Sequence, residues 1–269
     1  RFEAPQITPE STATKPSEVY KPGATLDRTL EYGGKTVPIY RDRPLNVFSD
    51  VDFIWTGEEN ENQRRLEYLG GEFRTRYGID VSSFQGEIDW DAVADDNIDF
   101  AMVRVGFRGT GTGSLNTDKY YEQNIRGAMR AGLETGVYFF AQAVTVEEAI
   151  EEAEYVISLL DGLDINGPVA YDWEMHDSTY RVYGTSPEMA TACAVAFCQR
   201  IKDAGYTPMV YGGTYVTYMK YDQGALADYL SWYPEYKSEK SEKLCPTLVY
   251  HMDYWQYSSK CSVAGIGGN

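Results

Sequence analysis

The sequence predicts an α/β fold in which a parallel sheet curls into a barrel that helices cover incompletely. From residue 77 onward, short β-branched or aromatic runs alternate with helical stretches, which is the pattern of βα units in a parallel sheet. The segment 77–269 is shorter than the roughly 250 residues typical of a (β/α)8 barrel. Helical patterns also become sparse after residue 228. We therefore expect several helices to be missing from the last third of the barrel.

Seven strands and five helices are expected within this segment. The strands are predicted at 77–81, 100–105, 136–142, 168–174, 207–211, 229–232 and 251–256. The helices are predicted at 90–95, 118–131, 146–160, 187–204 and 223–227. Ser186 as an N-cap followed by Pro187 indicates where the longest helix begins. Gly132 and Gly205 follow helices at positions where a left-handed cap is favoured.

Two segments precede the barrel. Residues 1–28 are expected to be a flexible tether, because four prolines interrupt them and polar residues fill most of the remainder. Residues 29–76 are expected to form a small β-hairpin and a linker. The hairpin turns at Gly33-Gly34 between two strand-like runs, whereas 58–69 is predicted to be a polar, solvated helix or loop.

Composition and charge exclude several classes of function. Lys and Arg number 24 against 41 Asp and Glu, a net charge of −17, so we expect no nucleic-acid partner. The same charge disfavours an anionic membrane surface, and no apolar run reaches the ~18 residues of a membrane span. Four cysteines are too few for a disulfide scaffold, although Cys245 and Cys261 could pair. Without a C-x-x-C motif we expect no structural zinc, and we predict no metal, no cofactor and a monomer.

The segment GPVAYDWEMH, residues 167–176, carries the most informative chemistry. Because side chains alternate along a strand, Asp172 and Glu174 share one face, with their Cα atoms roughly 6.5–7 Å apart. At the carboxyl end of a parallel strand they would point into the mouth where barrel active sites lie. Two carboxylates this close cannot both ionise freely, so one keeps a proton beside an anion. That pair is suited to cleaving a glycosidic bond, and a merely solvated strand end is the simpler alternative.

Three other features are weaker candidates for chemistry. Asp80 lies between apolar Ile79 and Val81 inside a predicted strand, so it needs a partner or a function; a structural hydrogen bond would serve equally well. His176 continues the alternation of acids, but a metal site is disfavoured because no fourth ligand is evident. The glycine-rich loop 108–113 lacks the P-loop and dinucleotide patterns. We expect it to form part of the active-site rim.

The segment from residue 77 onward resembles the glycoside hydrolase family 25 lysozymes, or muramidases. The motifs that carry the resemblance occur in order: GIDVSSFQG (78–86), TDKYYEQNIRGAMRAGLETGVYFFAQA (117–143), PVAYDWE (168–174), YWQYSS (254–259) and GIGG (265–268). The resemblance implies a modified TIM-like barrel of eight strands and about five helices. It also implies an extracellular or cell-surface enzyme that acts on bacterial peptidoglycan. The implied reaction is hydrolysis, with retention, of the β-1,4 bond between N-acetylmuramic acid and N-acetylglucosamine.

The resemblance also assigns roles to residues. Glu174 would be the general acid/base, Asp172 would orient or stabilise the intermediate, and Asp80 would be the third acid of the cluster. Three aromatic residues fall where family members line the saccharide groove: Tyr138, Tyr211 and Trp255.

Two departures from the family pattern leave an alternative open. Many members read Tyr-His-Phe where this chain has Tyr-Phe-Phe at 138–140. Many also carry a further Asp after the glycine-rich segment that ends near residue 268, so a last strand and one carboxylate are expected to be missing. The alternative is therefore a non-catalytic cell-wall-binding module. A chitinase-like glycosidase is disfavoured because Ala170 stands at the first position of its D-x-D-x-E run.

Overall fold

The computed structural model describes residues 13–57 and 64–267, and predictions for 1–12, 58–63 and 268–269 lie outside these ranges. The strands are β1 (Leu26–Tyr32), β2 (Lys35–Tyr40), β3 (Phe53–Thr56), β4 (Arg65–Tyr68), β5 (Gly78–Val81), β6 (Phe100–Arg108), β7 (Leu115–Thr117), β8 (Glu134–Ala141), β9 (Val169–Trp173), β10 (Pro208–Tyr211), β11 (Leu230–Pro234) and β12 (Tyr254–Gln256). The helices are α1 (Pro16–Val19), α2 (Trp90–Asp95), α3 (Tyr121–Arg130), α4 (Val146–Leu159), α5 (Pro187–Asp203) and α6 (Thr214–Met219).

The main sheet is a curled, open half-barrel. Its order is β12-β11-β10-β9-β8-β6-β5, with every pair parallel, and β7 adds antiparallel to β6. The edge strands β5 and β12 face each other through side chains, since Gln256 Nε2 donates to Asp80 Oδ2 at 2.9 Å. The ring of Phe100, at the start of the neighbouring strand β6, lies 5.2 Å from that of Tyr254 on β12. Among the described residues no strand pairing joins these edges. Of the expected modified TIM-like barrel of eight strands, the structure shows an eight-strand sheet curled into a half-barrel, and a full barrel is not confirmed.

The predicted elements of the barrel are mostly confirmed, with one helix misplaced. All seven strands and the helices α2 to α5 form within a few residues of their predicted bounds. The helix predicted at 223–227 is wrong, because Asp222 Oδ1 accepts from the backbone N–H groups of Gly224 and Ala225 and holds a turn instead. The sixth helix, α6, was not expected because its sequence TYVTYM favours strands; burial of Val216 and Tyr218 overrides that propensity.

The segments before the barrel are more ordered than predicted. The β1–β2 hairpin is confirmed, with Gly33 and Gly34 at φ +57° and +73°, as a tight two-residue turn requires. The polar helix or loop expected at 58–69 is wrong over its described end. There β4 pairs antiparallel with β3, because Leu66 is buried against Phe53.

The tether expected over residues 1–28 is also corrected, from residue 13 onward. The backbone N–H of Thr14 donates to Glu147 Oε1 at 2.8 Å, and that of Gly23 donates to Asp222 at 3.0 Å. The short helix α1 packs against α5. Acidic side chains of the barrel thus satisfy backbone groups of this segment, which composition alone does not reveal.

Alternation along the strands divides the core into two layers. One layer lies between sheet and helices, where Tyr171 packs its ring 4.8 Å from that of Phe197 on α5. The other fills the inside of the curled sheet, with Met209 and Trp232 among its members. None of the described helices is long and apolar enough to cross a membrane.

The cysteines do not form the bridge that their spacing allowed. Cys245 and Cys261 are both free thiols, as are the other two cysteines. Cys245 packs with Phe53 and Leu66, and Cys261 Sγ accepts from Arg65 Nη1 at 3.4 Å. The two thiols have separate partners, so the pairing that the sequence left open does not form.

Candidate active site

Three acids meet at the carboxyl ends of the strands. Tyr171 and Trp173 are fully buried beneath the helices, so Asp172, which lies between them, points into the half-barrel. Glu174 follows directly after β9, and Asp80 lies on β5. The structure therefore brings together all three predicted acids.

Asp172 is the most deeply buried of the three acids. It is 6% exposed, and its Oδ1 has no hydrogen-bond partner among the described residues. Burial, reinforced by the carboxylates of Glu174 and Asp80, raises the pKa of Asp172 well above its ordinary value, and the Arg104 guanidinium opposes this only in part. The protonated form of Asp172 is therefore favoured beside the other two acids.

Asp80 is tied to the opposite edge of the sheet by a polar chain. Gln256 on β12 donates to Asp80 through Nε2, and its Oε1 accepts from the hydroxyls of Tyr211 and Tyr236, both at 3.2 Å. Burial raises the pKa of Asp80, while the hydrogen bond from Gln256 lowers it and the Glu174 carboxylate adds to the rise. Gln256 thus orients Asp80 across the open seam.

Glu174 is held through its side chain and its backbone. Its Oε2 lies 2.7 Å from Nε2 of His176, and its side chain keeps 24% of its surface exposed. Gln142, at the end of β8, donates from Nε2 to the Glu174 backbone carbonyl at 2.8 Å. The side chain therefore reaches solvent while the backbone is fixed.

A buried contact between Arg108 and Glu152 supports Gln142. Arg108 Nε donates to Glu152 Oε1 at 2.7 Å, and the same oxygen accepts from the backbone N–H of Gln142 at 3.0 Å. Arg108 also donates to the carbonyl of Gly113 at 2.8 Å, so the glycine-rich loop is anchored to the network. Arg181 joins this loop to the segment after β9, donating its backbone N–H to the Thr110 carbonyl at 2.9 Å.

The predicted aromatic residues divide into two groups. Tyr138 and Tyr211 lie inside the half-barrel, with their rings 5.8 and 4.8 Å from that of Trp232. Trp255 lies on the outer face, since its neighbour Gln256 points inward, and its ring meets Phe53 at 5.6 Å. The structure does not bring Trp255 to the acids.

Some residues of the site were missed in the sequence. Gln256 has a recognisable signal, because period-two alternation in the predicted strand 251–256 places it on the same face as Tyr254. Tyr236 lies in a loop and offers no such signal. The departure at Phe139 falls outside the site: its ring is fully buried and packs against Tyr155 on the helix side of the sheet.

A curled parallel sheet with three acids at its mouth defines an α/β-barrel protein of the kind that carries carboxylate active sites. The sequence model of the glycosyl hydrolases family 25 matches residues 79–266. The chain therefore belongs to this family.

Two relatives are similar in sequence to the barrel. An autolytic lysozyme of Clostridium acetobutylicum is 27% identical over 193 residues, which cover 71% of this chain and 53% of the relative. Lysozyme M1 of Streptomyces globisporus is 26% identical over 197 residues, covering 71% and 65%. The chain thus spans about half the length of the first of these relatives and less than two thirds of the second.

Solved structures share the fold. The modular autolysin LytC of Streptococcus pneumoniae aligns with a TM-score of 0.61 at 23% identity, covering 89% of this chain and 56% of that one. A bacterial lysozyme of Streptomyces coelicolor aligns with a TM-score of 0.57 at 23% identity, covering 73% and 90%.

Proposed function

We propose that the protein is a peptidoglycan hydrolase that cleaves the β-1,4 bond between N-acetylmuramic acid and N-acetylglucosamine with retention of configuration. The observation that carries this proposal is the meeting of Asp80, Asp172 and Glu174 at the mouth of the half-barrel, where burial and the two neighbouring carboxylates raise the pKa of Asp172. Family membership and two relatives named lysozymes support it.

The proposed mechanism uses a proton that the raised pKa of Asp172 keeps available within the acid cluster. Moved to Glu174, this proton protonates the leaving glycosidic oxygen. Asp172 is then an anion. It stabilises the positive charge that develops while the acetamido oxygen of the sugar bonds to the anomeric carbon from the opposite face and the bond to the protonated leaving oxygen breaks. In the second step Glu174 accepts a proton from water, which attacks from the face the leaving group vacated; two successive inversions give retention.

Two features of the site favour Glu174 for this acid/base role. Its side chain is partly exposed and hydrogen-bonded by His176, so it can reach a bound substrate and exchange protons. Asp172 is buried and lacks a partner for Oδ1 among the described residues, so it is shielded from solvent and less suited than Glu174 to exchange protons. Tyr138 and Tyr211 would line the groove beside these acids, and Trp255, which lies on the outer face, is left out of it.

The test is Glu174→Gln assayed on purified bacterial walls. We expect release of reducing ends to fall about 10²- to 10⁴-fold, because the amide cannot transfer the proton. Asp177→Asn is the matched control: this exposed acid bonds Thr179 outside the cluster, so its loss should leave the rate within about twofold. Undiminished turnover by Glu174→Gln would remove Glu174 from the acid role.

The same preparation separates hydrolysis from binding alone. Mass spectrometry of the products should show muramic acid at the new reducing ends. If the wild-type chain sediments with walls but releases no fragments, the wall-binding alternative replaces the hydrolase.

We also propose that the protein acts outside the cell or at the cell surface, as a monomer. A net charge of −17 gives repulsion between copies and favours separate molecules in solution. Light scattering coupled to size exclusion measures the mass; a dimer mass at micromolar concentration would contradict the monomer.

A further inference from the structure

Phe84 is an aromatic side chain that the turn after β5 holds in solvent. It is 82% exposed. The 3-10 turn at 83–85 that carries it follows directly after the strand of Asp80, at the carboxyl end of the sheet where the three acids meet. An exposed apolar ring at this end of the sheet is available to a bound ligand.

The backbone beneath Phe84 is fixed by hydrogen bonds. Its own N–H donates to Ser82 Oγ at 3.2 Å, and the N–H of Ser82 donates to Gln85 Oε1 at 2.8 Å. The N–H of Ser83 donates at 3.0 Å to Asp118, whose side chain is completely buried. The phenyl ring therefore projects from a rigid turn.

One face of the Phe84 ring is occupied and the other is free. The guanidinium carbon of Arg104 lies 5.0 Å from the ring centroid, in the geometry of a cation–π contact. Because the side chain is still 82% exposed, its opposite face is open to solvent. Arg104 is itself bound by Asp118, with Nε donating at 2.9 Å. This surface therefore offers a ligand a flat apolar face and no unbalanced charge.

A strip of phenyl rings connects Phe84 to the acids. The Arg104 guanidinium carbon also lies 5.5 Å from the ring centroid of Phe107 on β6. Phe107 is in register with Phe140 on β8, which is in register with Asp172 on β9. Register partners in neighbouring strands share one face of a sheet, so both half-buried rings lie on the inner face with Asp172. We call these three phenylalanines the aromatic strip.

We propose that the aromatic strip is a subsite for the glycan strand, in which the apolar face of an N-acetylated sugar ring stacks on Phe84. A sugar ring presents C–H groups on its face, and the negative face of a phenyl ring is complementary to them. Phe84 lies four positions after Asp80, so their Cα atoms are at most about 14 Å apart. A strand bound at the acids can therefore continue over Phe140 and Phe107 to Phe84. This inference rests on the proposed function for the identity of the strand.

The experiment measures binding by calorimetry in the Glu174→Gln background. The probe is a hexasaccharide of alternating N-acetylglucosamine and N-acetylmuramic acid. We expect Phe84→Ala to weaken its binding about 5- to 30-fold, as truncation of a central aromatic contact does. The melting temperature should stay nearly unchanged, because the ring that is removed lies mostly in solvent.

Two further substitutions at the same position test the stacking itself. Phe84→Tyr keeps a flat ring and should keep the parent affinity. Phe84→Leu keeps an apolar side chain without a flat face and should bind as weakly as Phe84→Ala. A leucine variant that binds as tightly as the tyrosine variant would overturn the stacking.

Phe73→Ala is the matched control. Phe73 is also a partly exposed phenylalanine, at 42%. It lines a cavity with Gly78 and Phe100 at the amino ends of β5 and β6, the end of the sheet away from the acids. This variant should bind the hexasaccharide like the parent. Equal affinity in the parent and in Phe84→Ala would overturn the subsite.

The subsite and the proposed function fail in different ways. A wild-type chain that cleaves walls, together with a Phe84→Ala variant that loses no affinity, overturns only the subsite. A wild-type chain that cleaves nothing, together with a Phe84→Ala variant that loses affinity, overturns the hydrolase and supports the subsite.

Discussion

We predict that Glu152 makes the folded protein less stable as the pH rises from 5 to 7. The substitution Glu152→Gln should remove this pH-dependent loss of stability. The side chain is completely buried on α4. One of its oxygens accepts from Arg108 and Gln142, but Oε2 has no partner among the described residues. Burial outweighs the pairing with Arg108 and raises the pKa of Glu152 from 4.5 to about 7.

The size of the effect follows from proton linkage. Between pH 4.5 and 7 the folded chain keeps a proton on Glu152 that the unfolded chain has released, so stability falls as the pH rises. These two pKa values give a loss of about 2 kcal/mol between pH 5 and pH 7. For a domain of this size that lowers the melting temperature by about 5 °C. Asp172 and Asp80, whose pKa values are also raised, contribute with the same sign in both proteins.

The assay is denaturant unfolding at pH 5, 6 and 7, followed by tryptophan fluorescence. The amide in Glu152→Gln keeps an acceptor oxygen for Arg108 and Gln142, so the native contacts survive while the titration is lost. We expect the stability difference between wild type and variant to change by about 2 kcal/mol across this range. Glu151→Gln is the control: it removes another carboxylate bonded to Arg108, but one that is 25% exposed, and should keep the wild-type slope.

Parallel pH curves for wild type and Glu152→Gln would refute the reasoning. They would show that Glu152 is already ionised at pH 5. The charge of Arg108 would then outweigh the cost of burial, and the support beneath Gln142 would be an ion pair throughout the range of activity.

Two further predictions concern the seam and the core. Gln256→Leu leaves Asp80 Oδ2 without its donor, so we expect activity on walls to fall about 10²-fold with the circular dichroism spectrum unchanged; full activity would show that Asp80 needs no orientation. Phe197→Ala should cost about 3–5 kcal/mol in denaturant unfolding, because its ring is fully buried against Tyr171. A loss below about 1 kcal/mol would mean that the layer between sheet and helices collapses into the cavity.

The face of a strand on which each site residue lies can be predicted from the sequence, because side chains alternate along a strand. Asp172 could be placed inside the sheet because apolar Tyr171 and Trp173 flank it, and Asp80 because Ile79 and Val81 do. The same rule applied to Tyr254-Trp255-Gln256 puts Trp255 on the face opposite Gln256. The predicted role of Trp255 in the saccharide groove came from the family resemblance, whereas the alternation of side chains along this strand places Trp255 on the opposite face.

Contacts between residues that are distant in the sequence could not be predicted from it. The raised pKa of Asp172 depends on its burial, on Glu174 and on Asp80, which lies 92 positions earlier in the chain. The strand β4 forms because Leu66 is covered by Phe53, and local polarity hides that partner. The segment from residue 13 is ordered by acids of the barrel, such as Glu147, and composition alone suggests a tether.

The open seam explains why Asp80 depends on a neutral partner. An edge strand has a sheet neighbour on one side only, so backbone pairing with β6 constrains Asp80 from one side and the other side faces a cavity of about 250 Å³. A cation at position 256 would bind the Asp80 carboxylate more tightly, and it would also attract the carboxylates of Glu174 and Asp172. The amide of Gln256 orients the Asp80 carboxylate, accepts hydrogen bonds from Tyr211 and Tyr236, and leaves the net charge of the acid cluster unchanged. Across the seam, β12 thus orients Asp80 through a side-chain hydrogen bond and not through backbone pairing.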